Sequence, residues 1–158
     1  MKHIITALVE NQPGVLARIV GLISGRGFNI ETLNVAPTQD ATVSQMTIKV
    51  PGDDHVLEQV TKQLNKLVDV IKVADITQKH YLNRDLVLVE VAATAQKRAE
   101  IVELVKILDA KVISVQEKSL TIQMIGEQDK INDFLNLLKP FKMLDISRSG
   151  VIAVARGQ

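Results

Sequence analysis

The order in which apolar periodicity changes along the chain constrains the fold more than any single motif. Ile4 to Val9 is a short, mostly apolar run rich in β-branched residues, read as a strand covered on both faces or nearly so. Leu16, Ile19, Val20 and Ile23 then fall at i, i+3, i+4 and i+7, one face of a helix that Gly25 can stop. Phe28 to Val35 reads as a second strand, and the slip of its apolar phase between Ile30 and Leu33 predicts a bend or bulge. After the turn-forming Pro37-Thr38-Gln39-Asp40, residues Met46, Ile48 and Val50 alternate with polar neighbours as a third strand. Pro51-Gly52-Asp53 punctuates the chain, Leu57, Val60, Leu64 and Leu67 recur at helical spacing, and Val68 to Ile76 returns to strand composition. The order is β-α-β-β-α-β.

The second half repeats it. Leu86 to Val91 is strand-like, and Ile101, Leu104, Val105 and Leu108 give a helix. Val112 to Val115 and Leu120 to Ile125 form a hairpin around Gln116-Glu117-Lys118-Ser119. Ile131, Phe134, Leu135 and Leu138 give a second helix, Pro140 follows its end, and Phe141 to Ile146 supplies the last strand before a further apolar piece, Val151 to Ala155. Two split β-α-β units follow: an α+β chain of two tandem ferredoxin-like (βαββαβ) domains, each an antiparallel sheet with helices on one face. The expected boundaries are a first domain over residues 1–77, a linker over 78–84 and a second domain over 85–158. Each is half of a 158-residue chain, a size that buries only about 60% of the unfolded surface. Such units hide an open edge or a bare sheet face against a copy, so self-association is expected.

Composition narrows the function classes. Aromatics are 3% of the chain and the formal net charge is +1, which removes both base stacking and a basic stripe. RNA-recognition domains share this element order, but only Phe28 could stack a base on a central strand. Cys is absent, which excludes disulfides, thiolate metal sites and Cys nucleophiles and fits a reducing compartment. The N-terminal residues lack the apolar core of a signal peptide and no stretch is long enough to span a bilayer, so a cytoplasmic location with neither membrane nor nucleic acid as partner is expected. His3, His55 and His80 lie in different elements without i, i+4 partnership, so no metal site is expected. Neither GxSxG nor HExxH occurs, and Asp53-Asp54 and Glu127 with Asp129 stand where helices begin, as caps rather than acid–base pairs. No catalytic residues are expected. The glycines from Gly21 to Gly27 follow a helix and enter a strand, the reverse of a phosphate loop.

One constellation carries chemistry. Asn11-Gln12-Pro13-Gly14-Val15-Leu16 joins the first strand to the first helix, and Phe28-Asn29-Ile30 opens the next strand. Pro13 fixes the approach, and Gly14 leaves the N–H groups of Gly14 and Val15 unobstructed at a helix start, where a carboxylate is welcome. Asn offers a carbonyl to an ammonium and an amide to a carboxylate at no net charge, so a zwitterionic amino acid fits the inventory. Spacing alone equally allows Asn11 as an N-cap and Asn29 as a turn residue, and it does not bring the two together.

At these residues the sequence resembles a known family. The loop Asn11 to Leu16, the helix Arg18 to Ile23 and the strand Arg26 to Leu33 look like an ACT domain; Val35 to Thr38, Leu64 to Val70 and Arg148-Ser149-Gly150 narrow the resemblance to the acetolactate synthase (acetohydroxyacid synthase) small regulatory subunit. It spans essentially the whole chain and is sparser from about Lys79 to Asp145. The resemblance implies a non-catalytic subunit that activates a separate thiamine-diphosphate-dependent catalytic subunit and confers feedback inhibition by valine, or by leucine or isoleucine, in branched-chain amino acid biosynthesis. It implies no cofactor in this chain; thiamine diphosphate, Mg and FAD belong to the catalytic partner. It implies a homodimer through the ACT domain, with the effector between Asn11, Gly14 and Val15 of one chain and Asn29 and Ile30 of the other. ACT domains often carry Asp where this chain has Asn11. The second half shows no motif to which a ligand can be assigned.

Overall fold

The computed structural model describes residues 2–157 and divides them by their contacts into two units. The first comprises the chain up to Leu82 and again from Val151; the second is Asn83–Gly150.

In the first unit β1 (Lys2–Glu10), α1 (Val15–Gly25), β2 (Thr32–Pro37), β3 (Val43–Pro51), α2 (Asp54–Asn65) and β4 (Val70–Asp75) form the expected series. The strands pair antiparallel in the order β2-β3-β1-β4. Alternation along β1 sends Ile5, Ala7 and Val9 to the face covered by the helices, where Val15, Ile19 and Ile23 of α1 and Val60 and Leu64 of α2 meet them with Met46, Ile48 and Val50 of β3. Asp53 caps α2, its carboxylate accepting the Val56 N–H at 3.0 Å. The apolar phase slip near Ile30 marks a boundary: Phe28 and Ile30 pack against this core from a loop, and the strand begins only at Thr32.

The second unit repeats the plan. β5 (Tyr81–Ala92), α3 (Ala95–Ile107), β6 (Lys111–Val115), β7 (Ser119–Gly126), α4 (Gln128–Leu137) and β8 (Met143–Arg148) follow in order, with sheet order β6-β7-β5-β8. Val87, Val89 and Val91 of β5 and Leu120, Ile122 and Met124 of β7 face Ile101 and Val105 of α3 and Ile131, Phe134 and Leu138 at α4. Asp85 is fully buried and receives Arg148 at 2.5 Å, with the Ser149 hydroxyl on its other oxygen at 3.3 Å.

Two further features differ from the sequence expectation. Tyr81 to Arg84, read as linker, already belongs to β5. The last strand, β9 (Ile152–Ala155), read as the end of the second domain, packs on the first unit: Val151 and Ala153 join Ile4 and Ile76 in a small apolar cluster, and the Arg156 N–H donates to the His80 carbonyl at 2.8 Å. The cause is the alternation of β1, which turns Ile4 away from the helices and leaves an apolar spot that only another segment can cover.

Candidate functional site

The end of β1 is fixed before the loop starts. The Glu10 N–H donates to Asp69 C=O at 2.9 Å and the Asn11 N–H to Thr42 C=O at 2.8 Å. The Asn11 side-chain amide donates to Ala41 C=O at 2.8 Å, which leaves its own carbonyl oxygen free to accept. Ala41 is held by a turn in which Asp40 accepts the Thr42 hydroxyl at 2.7 Å and the Thr42 N–H at 3.0 Å; these bonds hold the Asp40 carboxyl below the usual carboxylate range.

Asn11 is therefore not the helix N-cap. That position is Gly14, in the left-handed region at φ 85°, and it brings no capping side chain; the first turn of α1 also carries no acidic residue. The Val15 N–H turns back to Gln12 C=O at a long 3.3 Å. The helix start thus presents partial positive charge with no carboxylate of its own to meet it. Arg18, one turn on, is tied down by Asp69 at 2.7 Å.

Beside this loop lies a cavity of about 190 Å³ whose apolar lining includes Val9, Val15, Val35 and Met46 and whose polar lining groups are Glu10, Asn11, Gln12 and Ser44. Of the residues singled out in the sequence, Asn11 and Val15 line it, and Gly14, the N-cap of α1, does not. Asn29 and Ile30 do not: in a single chain Asn29 is exposed in the loop before β2, while Ile30 is partly buried against the core. Sequence reasoning missed Val35, Pro37 and Met46. Their signal was alternation, since Val35 pairs with Met46 and Pro37 with Ser44, so all four share the helix-side face.

Among the described residues no three His, Cys, Asp or Glu side chains gather into a metal-binding group. What the site offers is hydrogen-bond donors at a helix start, the side-chain amides of Asn11 and Gln12, the Glu10 carboxylate and an aliphatic cavity wall.

Comparison with known proteins agrees along the whole length. Residues 5–72 match the model of the AHAS small subunit-like ACT domain, and residues 84–157 match that of the small subunit of acetolactate synthase. The acetolactate synthase small subunit of Haemophilus influenzae is 46% identical over 159 residues, covering 100% of this chain and 98% of that one. That of Aquifex aeolicus is 45% identical, covering 98% of this chain and 81% of the relative. The crystal structure of the small subunit from Thermotoga maritima superposes with a TM-score of 0.91 at 33% identity, covering 100% of this chain and 99% of the other. With both halves matched and the fold reproduced end to end, the chain belongs to the acetolactate synthase small-subunit family.

Proposed function

We propose that this chain is the regulatory, non-catalytic subunit of an acetolactate synthase, activating a catalytic partner and transmitting feedback inhibition by a branched-chain amino acid, valine foremost. The observation that carries the reading is the uncapped start of α1 set against an aliphatic cavity. A valine carboxylate would take the helix-start N–H groups, its ammonium the Asn11 carbonyl, and its isopropyl group the space between Val9, Val15, Val35 and Met46.

Asn29 and Ile30 would complete the site from a second copy. The edge strands support this pairing. β4 and β8 each lie against a register shift, as does β6, and each carries charged residues, devices that blunt an edge. β2, reading Thr-Leu-Asn-Val-Ala-Pro, has neither a register shift nor a charge. It is an edge open to a partner, and its residues Val35 to Pro37 line the cavity. The dimer would then present two equivalent effector sites, and valine would inhibit by favouring one arrangement of the pair, with a coupling of about 1–3 kcal/mol.

Purified chain should be thermally stabilised by valine, and should raise the activity of an added acetolactate synthase catalytic subunit in a valine-sensitive manner. Silence from valine, leucine and isoleucine alike would sink the effector assignment. Val35→Lys should halve the solution mass measured by light scattering; an unchanged mass would place the dimer contact elsewhere.

A further inference from the structure

A second pocket opens on the opposite face of the first sheet, and its chemistry differs from that of the loop site. In register, Gln45 of β3, Leu8 of β1 and Lys72 of β4 stand in one row across the sheet, with Thr6 and Ala74 in the next. These are the β1 positions that alternation turns away from the helices. β9 supplies the remaining wall through Ala153, Val154 and Ala155, enclosing about 230 Å³.

Most of the lining is aliphatic, yet three polar groups converge on it. Thr6 is 9% exposed, and among the described residues its hydroxyl has no hydrogen-bond partner; the Gln45 amide and the Lys72 ammonium have none either. None of the three is sealed off: Lys72 is exposed, Gln45 is half-buried and the Thr6 hydroxyl reaches the hollow, so each can exchange water for a ligand atom. The lining holds one cation and no carboxylate. A zwitterion would leave its ammonium without a counter-charge there, whereas a monoanion would not. The volume exceeds that of a single water several-fold, enough for a small molecule.

We propose that this pocket binds a short branched aliphatic carboxylate, its anionic end on Lys72 and its tail against Leu8, Ile76 and Ala153. The ligand class is distinct from the zwitterionic effector assigned to the loop, and the assignment stands whether or not that effector is valine.

The full chain, labelled for NMR, should be titrated with 3-methylbutanoate. Perturbed resonances should centre on Thr6, Leu8, Gln45, Lys72 and Ala153. Lys72→Met should weaken binding at least about tenfold, the loss expected of one charge-assisted hydrogen bond, and Thr6→Val, which keeps shape and strand propensity, should weaken it less. The uncharged 3-methylbutanamide should bind as poorly as the acid does to Lys72→Met. The proposal is overturned by no perturbation, by perturbation centred on Asn11 to Val15, by wild-type affinity in Lys72→Met, or by equal binding of acid and amide.

Discussion

Glycine to alanine at two positions seven residues apart should change stability in opposite directions. At Gly14 the backbone sits at φ 85°, where an added Cβ collides with the following carbonyl at a cost of roughly 1–2 kcal/mol. The new Cβ would also lie 3.1 Å from Nη1 of Arg18, a contact that the flexible guanidinium can relieve by moving. At Gly21, inside α1, φ is ordinary and nothing lies within 4 Å of the added Cβ, so alanine gains about 0.5–1 kcal/mol of helix stability. Both substitutions restrict the unfolded chain alike, by about 0.4–1 kcal/mol. That term cancels in the comparison, and the gap between the two variants, at least about 1–2 kcal/mol, isolates the left-handed strain at Gly14. Urea unfolding followed by circular dichroism measures it. Gly14→Ala should also blunt the thermal shift given by valine, because the loop must relax to relieve the strain, while Gly21→Ala should leave that shift intact. If the two variants are equally stable, the loop is not held in the left-handed region and the geometry drawn for the helix start is wrong.

Two further outcomes follow from buried and capping carboxylates. Arg148→Met strands the Asp85 carboxylate, whose side chain is 0% exposed, and should cost about 3–5 kcal/mol; Asp85→Asn, which leaves no buried charge and can still accept from Arg148 and Ser149, should cost less, and the reverse ranking in urea unfolding would refute the role of the pair. Asp53 is held below the usual carboxylate range chiefly by the Val56 N–H, so its contribution is present above the ordinary carboxylate pKa and is lost as pH falls through the lower folded value; Asp53→Ala should flatten that part of the acid limb of the stability curve, and an unchanged limb would contradict it.

How far the fold was legible follows from which patterns are local. Helix faces such as Leu16, Ile19, Val20 and Ile23 repeat within one element, so α1 could be placed from the residues alone, and the two βαββαβ series followed from their order. The destination of β9 was not legible, because Val151 to Ala155 is merely an apolar run until Ile4 and Ile76 expose a spot for it on the far face of the first sheet. The extension of β5 back to Tyr81 was hidden in the same way: Asn83 and Arg84 read as linker by composition, and only pairing makes them strand.

The site divides along the same line. Pro13-Gly14 announces a loop leading into a helix, and the uncapped helix start follows from it, since a glycine at the cap position has no side chain to offer. The competing reading of Asn11 as the cap fails for a tertiary reason: the turn built on Asp40 and Thr42 brings the Ala41 carbonyl within 2.8 Å of the Asn11 amide, and that bond turns the carbonyl end of Asn11 into an unoccupied acceptor. No spacing rule encodes it, because Asn11 and Ala41 are 30 residues apart. Asn29 presents the converse case. Its residue type suits an amino-acid ligand, yet within one chain it lies outside the cavity that Asn11 lines. Within a monomer the two lie at opposite ends of the first sheet: the Asn11 N–H donates to Thr42 before β3 begins, while Asn29 precedes Glu31, whose N–H donates to the Lys49 carbonyl near the end of β3. On the proposal above, joining them would take a partner at β2, an edge strand without a register shift or a charge to keep a partner away. If the effector site forms only on pairing, then valine affinity must fall on dilution below the dimer dissociation constant, and a valine-induced thermal shift independent of protein concentration across that range would separate the two halves of the argument.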